Sequence, residues 1–373
     1  MSTTPILRLG GLGLGEGRSV ISAALSAPEW EIGMICDLDE GLCRERCREF
    51  GEMPWTRNYA EMLGRDDIDV IAIYTPDPLH APHMLQALEA GKHVICTKPL
   101  LDDLTPGPAL LQAQRASGKR VMVGQSTRFV ESMMRQRADF EAGRFGKLVS
   151  VEAKYIHDHR NYMNGKWGPE LTKTMNWVYL GLSHPVDLVR WYLPEIEEVF
   201  AYGLLSPFAA KAGLQKADSL HAVLKSADGV IAQVTGIYGV PEHHPDRDAL
   251  KTCTLRGTCG TSTSDYPQLR YSRNLDGHQP EWIAFPELND YYYRFGGYMH
   301  HAGEFENYLR HFAQALARGE SPQPDLEDGL RTVAVMKALE RSVESGTPVR
   351  VAEILREYNV FCTYPTNDFT LDP

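Results

Sequence analysis

Close to its start the chain passes from a short apolar segment, Ile6 to Leu9, into the octapeptide GGLGLGEG of residues 10–17, and then into a helical pattern over Ser19 to Leu25. A strand that turns through glycines into a helix leaves few folds open. The helix must carry the chain back so that the next strand lies parallel to the first, and glycines let the backbone approach a pyrophosphate at the helix N-terminus, where N–H groups and positive partial charge converge. The spacing has two frames. Gly11-x-Gly13 puts Glu16 in the third-glycine place with Gly17 one residue late, and Gly13-x-Gly15 puts Arg18 there. Gly11, Gly13, Gly15 and Gly17 are therefore the candidate phosphate cradle. Asp37 ends the second apolar run, Ile32 to Cys36. A carboxylate about 20 residues downstream of the turn accepts hydrogen bonds from a ribose diol and repels a 2′-phosphate, which favours NAD over NADP. The alternative is a solvated turn aspartate.

The same rhythm continues to about residue 125. Asp39 reads as a helix cap, and Cys43, Cys47 and Phe50 form an apolar stripe before Gly51. Val70 to Tyr74 is near-continuously apolar, as expected of a strand covered on both faces. A helix with Pro82 in its first turn ends near Gly91. A strand follows over His93 to Cys96, then a helix from Thr105 and Pro106 to Gly118, then Val121 to Val123. Alternating strands and helices predict a doubly wound parallel sheet of Rossmann type.

After Gly146 the pattern changes to a period of two over Val149 to His157, and Asp228-Gly229 between two apolar runs predicts a hairpin. A further strand is expected over Lys251 to Arg256, with helices near residues 300–317 and 326–345. Since 373 residues exceed one ordinary core, the expected class is α/β. A Rossmann domain over residues 1–125 would precede a C-terminal α+β domain over 126–359, built on an open, mostly antiparallel sheet. A tail over 360–373 would be either a subunit arm or a loose terminus.

Charge and thiols narrow the partners. A net charge of −11 repels phosphate backbones, so neither nucleic acid nor an anionic membrane surface is expected. The start lacks a basic region followed by an apolar core, and no apolar run is long enough to span a bilayer. The seven cysteines contain no C-x-x-C pair, which argues against a disulfide framework or a structural zinc and fits a cytoplasmic protein with reduced thiols.

Several segments together resemble the Gfo/Idh/MocA oxidoreductases (glucose–fructose oxidoreductase, inositol dehydrogenase and relatives). They are Asp69 to His80 (DVIAIYTPDPLH), Ala90 to Pro99 (AGKHVICTKP), Val121 to Phe129 (VMVGQSTRF), Gly143 to Val149 (GRFGKLV), His184 to Leu193 (HPVDLVRWYL), and Arg256-Gly257-Thr258 with Gly260-Thr261. The resemblance implies that Lys98 lies beside both the nicotinamide and the reacting hydroxyl, and that Thr75, Pro76 and His80 line the cofactor cleft. It implies that His184 and Asp187 come from the substrate domain, that the substrate is a small polyol or sugar, and that the chain forms a homodimer or homotetramer. Two departures stand out. The glutamate of the family's EKP is Thr97 here, and the place of an aspartate four residues before the histidine is held by Leu180.

Chemistry gives these residues work to do. A hydride leaves a carbinol carbon only as the hydroxyl proton leaves, so a group must take that proton and steady developing alkoxide charge. Lys98, at the carboxyl end of a parallel strand, can donate to that oxygen or shuttle its proton; otherwise it is a surface lysine. His184, before Pro185 at an expected helix start, titrates near neutrality. Asp187, three residues on, shares its helix face and can orient the imidazole or bind a substrate hydroxyl; the plain alternatives are a cap and a helix-dipole partner. Tyr179, beside the missing acid, is a candidate relay or a core tyrosine. Arg128 either braces the hinge or contacts substrate. His157 and Arg160 are candidate substrate contacts. His157 and His159 share a strand face as metal ligands would, with His243, His244, His300 and His301 elsewhere, yet spacing supplies no third ligand and no metal is expected. Trp167 and Trp177 can stack on a sugar or fill the core.

Three functions fit these features. One is a polyol dehydrogenase or reductase. A second is an NAD-retaining sugar lyase, glycosidase or epimerase working through a transient ketone. The third is a non-catalytic dinucleotide sensor.

Overall fold

The computed structural model describes residues 6–165, 169–241, 250–294 and 302–360. Trp167, His243, His244, His300, His301 and residues 361–373 lie outside them. The first part of the chain supplies six strands: β1 (Leu7–Leu12), β2 (Trp30–Cys36), β3 (Trp55–Thr56), β4 (Val70–Ile73), β5 (His93–Thr97) and β6 (Val121–Gly124). They lie in the order β3-β2-β1-β4-β5-β6, and every neighbouring pair is parallel. All four residues of β4 are buried, which is why its sequence is continuously apolar rather than alternating. The order turns back between β1 and β4, so the ligand crevice of such a sheet opens at the carboxyl ends of these two strands.

The remaining strands form one nine-stranded sheet: β7 (Leu148–Ile156), β8 (Ile196–Leu204), β9 (Ser219–Ser226), β10 (Ile231–Ile237), β11 (Leu250–Gly257), β12 (Gly260–Asp265), β13 (Arg270–Leu275), β14 (Glu281–Ala284) and β15 (Val349–Arg350), in the order β14-β13-β12-β11-β7-β10-β9-β8-β15. Only β7 and β10 pair in parallel; the other neighbours are antiparallel, so the sheet is mixed and mostly antiparallel. The expected hairpin joins β9 to β10, with Gly229 at φ +83° in its turn. Along β7 every second residue, Val151, Ala153 and Tyr155, is buried. That face packs under the helix Ser183–Tyr192, while the helix Leu326–Ser345 lies along β8.

Two late segments reach back to the first sheet. The helix Gly303–Ala317 buries Tyr308, Leu309 and Phe312 among Leu9, Val70 and Ile95, and the Trp30 indole donates to the Leu309 carbonyl at 3.0 Å. Next, the Val123 N–H donates to the Pro324 carbonyl at 2.8 Å, on the edge of β6. The helix Leu326–Ser345 starts from there, capped by Asp325, and so spans from one sheet to the other. Among the described residues no helix is long and apolar enough to cross a membrane.

Candidate active site

The glycine turn is shaped by its surroundings. Gly13 has φ +85°, and a Cβ there would lie 2.6 Å from the Tyr74 carbonyl; a Cβ on Gly17 would lie 2.1 Å from the Gly13 oxygen. These two glycines let the turn close against β4. A Cβ on Gly11 would meet only ordinary contacts, and one on Gly15 would enter open space. The helix Arg18–Ser26 starts directly behind, with no side chain capping its first turn. Open space before an uncapped helix N-terminus is what a pyrophosphate requires, so the residues present fit a dinucleotide. Asp37 anchors the turn: Oδ2 accepts from the Leu14 N–H at 2.7 Å and Oδ1 from the Asp39 N–H at 2.9 Å. Each oxygen keeps a second lone pair for a ribose hydroxyl.

On the other wall Pro76 is exposed, and the Thr75 hydroxyl contacts His83 Nδ1 at 3.0 Å. His80 is fully buried, with Nδ1 2.9 Å from the Pro99 carbonyl and Nε2 2.8 Å from the Thr75 carbonyl. Carbonyl oxygens only accept, so both ring nitrogens donate and the ring is an imidazolium. Burial opposes that charge, but the Cys96 sulfur, Asp77 and the Thr75 carbonyl together push the group up to about 10. His80 therefore ties the loop after β4 to the turn that follows Lys98, and does not offer a ring nitrogen to a ligand.

Lys98 directly follows β5. Its Nζ donates to the Leu180 carbonyl at 3.2 Å, and burial pushes its ammonium below the usual lysine value against the opposing pull of Asp77 and Glu16. Leu180 is four residues before His184. The buried His184 ring shares a hydrogen bond of 2.9 Å between Nδ1 and the Thr127 hydroxyl, and stands edge-on to Tyr155 at 5.2 Å. Thr127 follows β6, the strand beside β5. Thus Lys98 and Thr127, which follow the carboxyl ends of the adjacent parallel strands β5 and β6, contact one short stretch, Leu180 to His184.

Other candidates have different neighbours. The expectation that Asp187 orients the imidazole or meets a substrate hydroxyl gives way to a buried ion pair. Arg128 Nε and Nη2 donate to its two oxygens at 2.7 Å each, and Arg128 Nη2 also reaches Asp328 at 2.9 Å. Arg190 closes the group with Nη1 2.9 Å from Asp328. Burial pushes the Asp187 carboxyl up against the pull of Arg128. Asp328, though burial acts on it as well, is held down at about 2 by Arg190 and Arg128. The Arg128 guanidinium is accordingly engaged with Asp187 and Asp328. Tyr179 turns its phenol to Glu340 at 3.1 Å. Arg160 pairs with Asp158, and its guanidinium carbon lies 5.8 Å from the Phe208 ring centroid.

His157 belongs to an aromatic cluster. It lies 4.2 Å from His159 between ring centroids. The Tyr155 hydroxyl contacts His159 Nε2 at 3.0 Å, and Trp177 stacks on Tyr238 at 4.8 Å. Trp177 is thus buried packing. Lys251, paired in register with Tyr155, holds its Nζ 4.9 Å from the Tyr155 ring and 4.4 Å from the Tyr266 ring. Among the described residues no three His, Cys, Asp or Glu side chains converge as a metal ion would need. Thr127, Lys251, Asp328, Glu340 and the Leu180 carbonyl are the site features that spacing in the sequence does not reveal.

Comparison with known proteins agrees with this geometry. The model of the oxidoreductase family's NAD-binding Rossmann fold matches residues 8–125, and that of the same family's C-terminal alpha/beta domain matches residues 137–351. The chain belongs to the Gfo/Idh/MocA oxidoreductase family. Similar members include inositol 2-dehydrogenase 1 of Saccharopolyspora erythraea, 28% identical over 320 residues covering 85% of this chain and 87% of that one. The scyllo-inositol 2-dehydrogenase (NAD(+)) of Bacillus subtilis is 24% identical over 357 residues, covering 95% and 97%. In fold, a levoglucosan dehydrogenase in complex with NADH superposes with a TM-score of 0.79 at 22% identity, over 92% of this chain and 99% of that one.

Proposed function

We propose that this family member is an NAD-dependent dehydrogenase or reductase of a secondary hydroxyl on a sugar, cyclitol or related polyol. The observation that carries the reading is Lys98. It is a desolvated amine at the carboxyl end of β5, held by the backbone carbonyl of Leu180 rather than by a carboxylate, and Leu180 is four residues before His184. Bound NAD supplies the hydride acceptor, or NADH the donor. Gly15 and the uncapped helix N-terminus leave room for the pyrophosphate, and Asp37 receives the ribose diol, which disfavours a 2′-phosphate.

Lys98 then holds the substrate oxygen and carries its proton. A neutral carbonyl as partner leaves the amine free to lose its own proton, so it accepts the hydroxyl proton in oxidation and returns it in reduction. His184, whose Nδ1 shares a hydrogen bond with the Thr127 hydroxyl, is in this reading the second group to exchange a proton at a substrate hydroxyl. The names of the relatives, inositol and levoglucosan dehydrogenases, support a polyol substrate.

The test mixes purified protein with NAD, or with NADP, and a panel of cyclitols, anhydrosugars and aldoses, and follows absorbance of the reduced cofactor. Turnover with NAD on at least one polyol, and much weaker turnover with NADP, is expected. Tight NAD binding with no reduction anywhere in the panel would reject net dehydrogenation. Solvent deuterium appearing in product under those conditions would point instead to a cofactor-recycling lyase or epimerase.

A further inference from the structure

The acceptor for Lys98 is the last residue of a very short element. The helix Trp177–Leu180 is a single turn, and a lone turn does not hold itself in water. Two outside groups fix it. Behind it lies Tyr238: a Cβ on Gly181 would fall 2.1 Å from the Tyr238 ring, so the chain after Leu180 is pressed flat on that face. In front lies Glu340 of the helix Leu326–Ser345. Asn176, which caps the short helix by accepting from the Val178 N–H, donates through Nδ2 to Glu340 Oε1 at 2.7 Å, and the Tyr179 hydroxyl donates to Oε2 at 3.1 Å. Lys337 donates to Oε2 at 2.9 Å, and Lys216 to Oε1. Both carboxylate oxygens are filled, and two of the four donors belong to Asn176 and Tyr179.

We propose that Glu340 is a positioning residue: by gripping Asn176 and Tyr179 it sets the one-turn helix so that the Leu180 carbonyl meets the Lys98 amine. A side chain with no place at the reacting atoms would thereby tune the group that handles the proton. In this chain Leu180 stands where the resemblance puts an acid, and its backbone oxygen accepts from the lysine. The proposal rests on the reading of Lys98 given above, but its test does not need turnover.

A carbonyl that accepts from an ammonium favours the charged form, and loss of a charge-assisted hydrogen bond is worth about one pH unit or more. The other charged groups that act on Lys98 are Asp77 and Glu16, and neither contacts Glu340. The experiment is competitive labelling of the whole protein with acetic anhydride across pH, with the Lys98 peptide quantified by mass spectrometry, which gives the titration midpoint separately from the plateau rate.

Glu340→Gln is expected to lower the Lys98 midpoint by about one unit, so that labelling below the midpoint rises about tenfold. Tyr179→Phe cuts one grip, leaves every charge in place and keeps the fold if Glu340→Gln does not. It should move the midpoint in the same direction by a smaller amount. Lys216→Met changes a charge beside Glu340 without releasing the helix and should leave the midpoint where it is. A midpoint unmoved in both Glu340→Gln and Tyr179→Phe overturns the proposal. So does one that moves in Glu340→Gln and Lys216→Met but not in Tyr179→Phe, because that is charge alone. A result with labelling as expected but no dehydrogenase turnover in the unaltered protein would reject the function and leave the positioning role standing.

Discussion

Asp187→Asn separates a brace from a reacting acid. The carboxylate is 2% exposed and accepts two bonds of 2.7 Å from a guanidinium that is itself 6% exposed. Removing one partner of a buried pair costs about 3–5 kcal/mol, mostly because the other charge stays behind in a poor solvent. Asparagine keeps one acceptor, and Arg128 keeps Asp328 at 2.9 Å, so the lower end, about 3 kcal/mol, is the reasoned value. At a slope near 3 kcal/mol/M this lowers the urea midpoint by about 1 M. Because the helix Ser183–Tyr192 carries both Asp187 and His184, turnover should fall by a modest factor alongside stability. Urea unfolding followed by tryptophan fluorescence, with steady-state kinetics well below the transition, measures both. A double variant with Arg128→Met should regain much of the lost stability, since no charge is then left unpaired at Asp187. The reasoning fails if the single variant unfolds at the wild-type midpoint while turnover drops about a thousandfold, for Asp187 would then act at the reacting atoms.

Other consequences follow from the same geometry. Gly15→Ala places a methyl group in open space before the helix Arg18–Ser26, so the protein should melt as wild type yet bind NADH at least tenfold more weakly by fluorescence titration; unchanged affinity would remove the phosphate from this cradle. With the Lys98 amine pushed down by burial, polyol oxidation should rise with pH to a midpoint below the ordinary lysine value of 10.5, and the reductive direction should fall across the same midpoint; an oxidation profile that titrates at or above 10.5 contradicts this. Asp328 and Glu340 are each held near 2, below their unfolded values of 3.8 and 4.5. Folded values lower than unfolded ones mean that the stabilisation, about 2–3 kcal/mol each, is whole above about pH 4.5 and is lost as pH falls towards 2. Denaturant midpoints taken at steps through that window should therefore fall less steeply in Glu340→Gln, and equal slopes in variant and wild type would refute the assignment.

The Rossmann half was the readable half. Its strands are buried on both faces, so β4 stands out as an apolar run, and its helices are punctuated by Asp39, Gly51, Pro106 and Gly118. The turn at Gly13 was visible because only glycine suits its φ. The two-residue β3 carries too little sequence to show a period. In the second sheet β12 is made of Gly, Thr, Ser and Asp, so its alternation between covered and open faces leaves no apolar trace. Lys98 and His184 could be picked out because local motifs surround them. What they touch could not. Arg128 meets Asp328 across 200 residues, and Tyr179 meets Glu340 across 161, and no spacing rule connects such partners. For the same reason Asp187 and Tyr179 read as chemistry in the sequence, although in the fold their polar atoms are spent on holding helices.

The most direct measurement is single-turnover hydride transfer in Lys98→Met, which keeps the stem and removes the amine, using a polyol that the wild-type protein oxidises. NAD should bind the variant with near wild-type affinity, while formation of the reduced cofactor slows by a factor of a thousand or more. Hydride transfer at the wild-type rate with NAD bound would show that the oxygen changing oxidation state is served by some other group.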